Sequence, residues 1–376
     1  MAREAVLEQT LGREICMMKR LGDYIRPVDV RNRDLNVTRL LGVSITKEFM
    51  PSIANIVGTD LSAYKVVTKG QFAYGPVTSR NGDKISVALL DGYDDAIISQ
   101  AYTVFEVVDK NALDPEYLMM WFRRPEFDRY ARFHSHGSAR EVFDWEEMCE
   151  VQVPVPAIEK QREIVAEYNT LATRIETNKK LIATLEQTAQ TLYRHTFVDN
   201  IDPNNLPEGW RMGTLGEVCS FKYGKLPSKH EKSVDYPYPV YSGYAITGYT
   251  DEYTLDDSEI VVIARGDAGT GKVCMSPEKC FLSNLAIAAI TKDRDMKLYL
   301  YYHLLTLDTM SLRSGTAQAQ ITISSLEPFE VILPPRAICK KFSDDMKVLL
   351  KNQENYTTEN QTLTQMQTLL LSKMGA

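Results

Sequence analysis

The second half of this chain repeats the order of the first half. At an offset of 178 positions, Pro156 matches Pro334 and Leu171 matches Leu349. The same offset matches the run Gly137, Ser138, Ala139, Arg140 with the run Gly315, Thr316, Ala317, Gln318. A duplication of this kind restricts the fold to two similar modules, each made of a globular region followed by a long helix.

Two stretches of the repeat have the 4-3 spacing of apolar residues that is typical of a coiled-coil seam. We assign to the seam Ile164, Leu171, Ile175, Asn178, Leu185 and Leu192 in the first stretch, and Phe342, Leu349, Tyr356, Asn360, Leu363 and Leu370 in the second. Each stretch predicts a helix of about 35 residues, or about 50 Å. A helix buried on a larger domain is the alternative, but the sustained heptad favours an antiparallel pair whose polar mid-seam residues fix the register.

The composition is that of an ordinary globular protein. Of the 376 residues, 44% are hydrophobic and 25% are charged, and the length predicts two domains with extensions. No apolar run is as long as a membrane span, and Met1 opens a charged stretch instead of a signal peptide, so we expect a cytoplasmic protein. The six cysteines lie far apart without a CxxC pair, which argues against a zinc site and a disulfide framework.

Prolines mark the ends of the two modules. Pro154 and Pro156 precede the first long helix, and Pro334 and Pro335 precede the second, where a missing N–H costs least. We therefore predict a first domain over 1–155, a central helix over 156–198, a second domain over 199–334 and a distal helix over 335–376. The predicted fold class is α+β, with two mixed α/β domains and two long helices in a pseudo-two-fold internal repeat.

Each globular region combines short β-type runs with helical patches. Asn81, Gly82 and Asp83 predict a hairpin turn between runs over 71–74 and 85–89. Helical patches span 115–123 and 296–305. Each domain is therefore predicted to form around a twisted sheet.

The charge is unevenly distributed along the chain. A net charge of −7 and a pI near 5.5 argue against nonspecific nucleic-acid binding, which needs a basic face. Two basic clusters depart from that average, namely Arg123, Arg124, Arg129, Arg132 and Arg140 in the first half and Lys222, Lys225, Lys229, His230 and Lys232 in the second. A solvated surface is one interpretation of each cluster, but their recurrence in both modules favours contacts to phosphate.

Signals for catalysis are weak. Residues 266–272 nearly match the phosphate-binding loop GxxxxGK[ST], but Val273 stands where a magnesium-binding hydroxyl is required, so a tight hairpin is favoured. His134 and His136 have no acidic or cysteine partner at metal-ligand spacing, and we interpret them as polar loop residues. The motifs HExxH and GxSxG and those of an amino-methyltransferase are absent from the sequence. We predict no catalytic residue, metal or cofactor in this chain.

The order of module, prolines and heptad helix, occurring twice, resembles the specificity subunit of type I restriction-modification systems over nearly the whole chain. The resemblance is carried by the prolines of 153–156 with EKQREI at 159–164, by 185–188, and in the second module by 239–243, 265–266 and 314–318. The distal copy departs from the family pattern, because RAICKK at 336–341 lacks the glutamine and glutamate of the first copy.

The resemblance implies a non-catalytic subunit with two target-recognition domains, each reading one half of an interrupted site in double-stranded DNA. It also implies that the coiled coil sets the spacer and docks two methyltransferase subunits, which bring S-adenosylmethionine. Restriction and translocase subunits that use ATP and magnesium can join them. Half-site centres one DNA turn apart, about 34 to 36 Å, are compatible with helices of about 50 Å.

Polar side chains on loops are the candidates for reading base edges. In the first module they are Tyr74, Ser79, Arg80, Asn81 and Lys84 on the hairpin, with His134, His136, Ser138 and Arg140 on the loop before the exit strand. In the second they are Lys222, Tyr223, Lys225, Ser242, Tyr244, Arg265, Lys272, Arg313, Thr316, Gln318 and Gln320. Arg140 and Gln318 occupy equivalent repeat positions and carry the most weight.

Three alternatives stay open at this point. A methylation-only or type IIB-like complex would use the same kind of subunit. A coiled-coil scaffold that binds no DNA would explain the helices but not two diverged modules with matching loops. A self-sufficient restriction enzyme would need catalytic motifs that the sequence does not contain.

Overall fold

The computed structural model describes residues 18–52, 58–79, 81–137, 140–228, 235–266, 269–307, 312 and 320–375. The chain divides into two compact units. The first comprises Met1–Thr177 together with Glu359–Ala376, and the second comprises Asn178–Thr358. Both predicted long helices are present, a central helix over Ile158–Phe197 and a distal helix over Arg336–Lys373. Each unit therefore contains part of both helices.

Among its described residues, the first unit contains three sheets and three α-helices besides its parts of the two long helices. Its strands are β1 (Met18–Arg20), β2 (Ile25–Val28), β3 (Leu40–Val43), β4 (Phe49–Pro51), β5 (Lys65–Thr68), β6 (Gln71–Tyr74), β7 (Val87–Leu89), β8 (Asp95–Ile98), β9 (Thr103–Val107) and β10 (Gln152–Pro154). Its helices are α1 (Pro115–Phe122), α2 (Pro125–Phe133) and α3 (Trp145–Glu150). β1 pairs with β10, and the two larger sheets have the orders β2-β9-β6-β7 and β4-β3-β8-β5, with β3 parallel to β8.

The sheet β2-β9-β6-β7 is covered on both faces. Phe72 and Phe105 belong to a core that includes the helices, whereas Ala73 and Val104 belong to a second core shared with β3, β5 and β8. This division follows from the alternation of side chains along a strand. The domain is therefore built on two packed sheets beside its helices, and not around one twisted sheet as the sequence predicted.

Among its described residues, the second unit repeats this arrangement, except that one of its larger sheets has three strands instead of four. Its strands are β11 (Arg211–Thr214), β12 (Cys219–Tyr223), β13 (Tyr238–Ser242), β14 (Ala245–Thr250), β15 (Ile260–Ile263), β16 (Val273–Met275), β17 (Phe281–Leu282), β18 (Ala286–Thr291) and β19 (Glu330–Leu333). Its short helices are α4 (Leu215–Val218), α5 (Lys297–Thr306) and α6 (Ile323–Leu326). β11 pairs with β19, and the other sheets have the orders β12-β18-β15-β16 and β14-β13-β17, with β13 parallel to β17.

The repeat seen in the sequence is thus a repeat of topology. In the second unit, Ile260 and Val262 face the core that includes the helices, and Val261 and Ile263 face the other sheet. Burial on both faces explains why β15 is a continuous apolar run with no polar alternation. The helical patches predicted over 115–123 and 296–305 correspond to α1 and α5.

The predicted hairpin is present with a longer connection than expected. β6 and β7 pair antiparallel, with Phe72 opposite Leu89. The strand begins at Val87 and not at residue 85, so a loop over 75–86 joins the two strands. Because the turn at Asn81 lies within this loop, the strands themselves do not form a two-residue hairpin.

In each unit the central and distal helix segments run antiparallel. In the first unit, Arg174 Nε donates to Glu359 Oε1 at 2.8 Å, while Leu171 and Leu370 line one groove. In the second unit, Gln353 Nε2 lies 3.3 Å from Glu186 Oε2, and the rings of Phe197 and Phe342 are 5.0 Å apart. All twelve positions assigned to the seam are buried or half-buried, and Asn178 is fully buried.

Candidate nucleic-acid interface

A buried ion pair holds the loop between β6 and β7 in place through the backbone of Ile85. Lys47 Nζ lies 2.7 Å from Asp128 Oδ1, and both side chains are almost fully covered. The same carboxylate oxygen accepts a hydrogen bond from the Ile85 amide at 3.2 Å. Burial lowers the pKa of Lys47, and the hydrogen bond and negative charge of Asp128 offset part of this decrease. The anchor leaves the neighbouring Lys84 exposed at the end of the loop.

A second loop, over 136–142, is closed by a short antiparallel bridge. The His136 and Val142 amides and carbonyls are paired at 3.0 and 2.9 Å. Gly137 has a φ of 131°, and a Cβ there would lie 2.2 Å from the Arg140 carbonyl oxygen. Only glycine fits this position, because it tolerates positive φ and has no side chain. Arg140 lies in this loop and is exposed.

Hydrogen bonds join these two loops. The Thr78 amide donates to the Glu141 carbonyl at 3.0 Å, and its hydroxyl donates to Ser135 Oγ at 2.9 Å. Val77 also forms a bridge with Val142. The structure therefore brings together most of the residues predicted for the first module, namely Ser79, Asn81, Lys84, His134, His136 and Arg140. Arg80 and Ser138 lie outside the described residues.

The prediction for Tyr74 is wrong. Its side chain is 0% exposed and packs against Phe105 and Phe143 in the helix-side core. Phe72 and Tyr74 are two residues apart on one strand, so they share the covered face. Tyr74 is a core residue and presents no surface to DNA.

The two histidines have an acidic partner that sequence spacing did not indicate. His134 Nδ1 lies 3.0 Å from Glu147 Oε2, and His136 Nε2 lies 3.4 Å from Glu147 Oε1. Tyr130 stacks on His134 with ring centroids 4.2 Å apart. Within the described residues no cluster of His, Cys, Asp and Glu could hold a metal ion. Glu147 instead links α3 to the base of the 136–142 loop.

The arginine cluster of the first half does not form one phosphate-binding patch. Arg124 is 6% exposed and lies 4.2 Å over the ring of Trp121. Arg129 pairs with Glu126, and Arg132 pairs with Glu141. Arg123 lies over the ring of Tyr168. Of these five arginines, Arg140 is the one that lies in the 136–142 loop, so we retain the predicted contact to phosphate or to a base edge for Arg140 alone.

In the second unit, candidate residues lie at the end of β12. Lys222, Tyr223 and Lys225 are exposed. Gly224 passes so close to β17 that a Cβ would lie 2.0 Å from the Ser283 carbonyl oxygen. The Lys225 amide then donates to the Leu282 carbonyl at 2.9 Å. This close approach ties the end of one sheet to the neighbouring sheet.

The loop between β15 and β16 joins the same surface. Lys272 Nζ lies 4.4 Å from the centre of the Tyr244 ring, a cation–π contact between two predicted residues. Ser242 Oγ is 2.9 Å from Ser283 Oγ. Lys272 is followed directly by β16, and the Gly271 amide donates to the carbonyl of Ile263 at the end of β15 at 2.8 Å. The loop is therefore a hairpin and does not form a phosphate-binding loop before a helix.

Arg265 and Gln320 are the remaining described candidates of the second unit, and both lie near the segment that enters α6. The Ile321 amide donates to the Ala264 carbonyl at 2.9 Å, which places Gln320 beside Arg265 in the backbone. The Ile323 amide donates to the Tyr223 hydroxyl at 3.0 Å. These two hydrogen bonds hold the segment over 320–323 next to Arg265 and Tyr223. Arg313, Thr316 and Gln318 lie outside the described residues, as do Lys229, His230 and Lys232.

Gln161 is a positioning residue that the sequence analysis missed. It is 0% exposed, accepts from the Asp114 amide at 2.8 Å, and donates to the Ala112 and Pro156 carbonyls at 2.9 and 2.8 Å. It fixes the start of the central helix against the N-terminus of α1. The sequence did contain a sign of this role, because Gln161 is a polar residue on the same helix face as the apolar Ile164 and Val165.

None of the helices in the part of the chain that the structure describes is long and apolar enough to cross a membrane. The chain matches the family described as Type I restriction modification DNA specificity domain over residues 64–187 and 207–365.

Two relatives cover most of the chain. It is 22% identical to the type I restriction enzyme MjaIX specificity subunit of Methanocaldococcus jannaschii, over 71% of this chain and 70% of that one. It is also 22% identical to the type I restriction enzyme HindI specificity subunit of Haemophilus influenzae, over 94% of this chain and 97% of that one. The fold is similar to the crystal structure of a type I restriction-modification system S subunit from M. genitalium, with a TM-score of 0.64, 16% identity and 95% coverage of each chain.

Proposed function

The chain belongs to the type I restriction modification DNA specificity family, and from this premise we propose that each of its two units reads one half of a bipartite DNA site. Membership in this family makes the chain a DNA-recognition component and not a catalytic subunit. The resemblance stated from the sequence is therefore confirmed, and the division of the site between the units is our proposal.

The observation that carries the proposal is the same in both units. Loops far apart in sequence are tied together by backbone hydrogen bonds, and they present exposed polar side chains such as Arg140 and Lys84 in the first unit and Lys225 and Lys272 in the second. Arginine and lysine pair with guanine O6 and N7, and they also bind phosphate. Loops that hydrogen bonds hold together and that carry such side chains suit the reading of base edges.

We propose that the central and distal helices form one antiparallel coiled coil that sets the spacer between the half-sites.

An exposed apolar groove on these helices in the first unit supports a second role, the docking of partner subunits. A groove of about 400 Å³ there is lined by Leu171, Met366, Leu369 and Leu370, and Met366 and Leu369 are 50% and 56% exposed. Exposed apolar surface of this kind marks protein contacts. We assign the helices to docking of two methyltransferase subunits, which bring S-adenosylmethionine, with ATP and magnesium belonging to restriction subunits.

Methylome sequencing tests the proposal. A host that expresses this chain with its methyltransferase partner should gain methylation at one motif made of two short half-sites with a fixed spacer. The partner expressed without this chain is the control and should add no motif. A continuous motif, or the same motif in the control, would contradict the proposal. A methylation-only complex and a restriction complex give the same motif, and restriction of unmodified phage DNA separates them.

A further inference from the structure

One large apolar side chain in each unit stands out by its exposure. Among the large hydrophobic residues that the structure describes, Phe133 is 83% exposed and Leu226 is 76% exposed, more than any other. Phe133 ends α2 beside the first-unit loops, and Leu226 directly follows Lys225 in the second unit. Scattered exposed apolar residues are ordinary, but here the two most exposed ones lie one in each unit, each next to residues that we predict to contact DNA.

Phe133 projects from a fixed base. Arg132 on one side pairs with Glu141, and His134 on the other side lies 3.0 Å from Glu147. Ser135 then binds the Thr78 hydroxyl at 2.9 Å. Because its neighbours are held by side-chain contacts to three other segments, the exposure of Phe133 belongs to an ordered part of the chain.

Leu226 is held in a comparable way. The Gly224 amide donates to the Ala286 carbonyl at 3.0 Å, and the Lys225 amide donates to the Leu282 carbonyl at 2.9 Å. On the other side, Ser228 Oγ lies 3.2 Å from Glu252 Oε1. The chain is therefore fixed before and after Leu226, and the leucine is presented next to a lysine.

We propose that Phe133 and Leu226 are wedges that insert between stacked base pairs, one in each half-site, and thereby make recognition depend on how easily a base step opens. The inference rests on the proposed function and adds a second kind of readout to it. Apolar side chains such as Phe and Leu are used by DNA-binding proteins to unstack base steps and kink the duplex. Flexible pyrimidine–purine steps open at least cost, so they are the expected insertion points.

The test uses the chain assembled with its methyltransferase partner and duplexes carrying fluorescent base analogues, 2-aminopurine for adenine and pyrrolocytosine for cytosine. The analogues are placed in turn at each position of both half-sites except the methylated base. The wild-type complex should raise the emission at one step in each half-site. Phe133→Ala should remove the rise in one half-site and weaken specific binding about tenfold, and Leu226→Ala should do so in the other.

Two further variants make the result decisive. Phe133→Leu keeps an apolar wedge and should retain most of the emission change. Val108→Ala removes another apolar residue of the first unit, 56% exposed, and should alter nothing. Unchanged emission in both alanine variants, with normal wild-type binding, would overturn the inference and leave the proposed function standing. A wild-type complex that binds no specific DNA would overturn both.

Discussion

At the scale of single residues, loop geometry decides which side chains reach the surface. Gly137 allows the 136–142 loop to close at a φ of 131°, and Arg140 in that loop is exposed. Tyr74 has a hydroxyl suited to DNA contact, yet it is buried because its strand has both faces covered. Residue chemistry could be predicted from the sequence, whereas exposure depended on packing between distant segments.

We predict that Arg140→Ala lowers discrimination at one base pair by about 1 to 3 kcal/mol and leaves the other half-site unaffected. Competition binding with singly substituted duplexes measures this. Arg129→Ala is the matched control, because Arg129 pairs with Glu126 and does not lie on the loops. An equal loss of affinity for every sequence would show that Arg140 contacts phosphate.

A buried histidine gives the second unit a dependence on pH. The Tyr193 hydroxyl lies 2.9 Å from His303 Nδ1, and burial lowers the pKa of His303 from 6.5 to about 4. Above pH 6.5 both folded and unfolded states carry a neutral ring. Between pH 6.5 and 4 the unfolded state takes up a proton that the folded state does not, so stability falls as pH falls.

We predict that the lowered pKa of His303 decreases the free energy of unfolding by about 3 kcal/mol between pH 6.5 and pH 4. Urea unfolding followed by the fluorescence of Trp210 at several pH values measures it. His303→Gln should weaken the dependence on pH by that amount, whereas His195→Gln, at an exposed position of the central helix, should leave it unchanged. Identical pH profiles for wild type and His303→Gln would refute the assignment.

At the scale of elements, the spacing of apolar residues predicted the helices and strands, because these depend on local sequence. The heptads located both long helices because burial along a paired helix recurs every 3.5 residues. The apolar runs located strands such as β15, but they could not show that a second sheet covers the outer face. Glu147 and Gln161 were missed because their partners lie on other elements, and no local pattern encodes those contacts.

The start of the central helix is an element-scale contact that can be tested. Gln161→Leu should destabilise the first unit by about 2 to 4 kcal/mol, because the amide of Asp114 and the carbonyls of Ala112 and Pro156, all half-buried residues, lose their hydrogen-bond partner. Urea unfolding followed by the fluorescence of Trp121 and Trp145 measures the loss. Gln187→Leu changes an exposed glutamine of the same helix and should cost little. Equal stability of both variants would mean that the glutamine does not anchor the helix.

At the scale of the whole molecule, the duplication of one module accounts for the similar architecture of the two units. Among the described residues, one four-stranded sheet has the same order in both units, and the other sheet of each unit contains a parallel pair, β3 with β8 and β13 with β17, but has four strands in the first unit and three in the second. The repeat is less faithful at the start of the distal helix, where Cys339 occupies the position of Gln161 and is buried. There Ser343 Oγ donates to the Asp295 carbonyl at 2.9 Å and Arg336 pairs with Asp293. The architecture is kept while the individual contacts that fix each helix have changed.

If the paired helices set the distance between the half-sites, lengthening them should lengthen the spacer. Four residues inserted near Asn178, with four more near Asn360, add about 6 Å of helix, which corresponds to about 2 base pairs at about 3.4 Å per pair. Methylome sequencing should then find both original half-sites with a longer gap. The same insertion in the central helix alone is the control, and it should abolish methylation because the seam loses its register. A folded double-insertion variant that methylates at the original spacing would show that something other than these helices measures the gap.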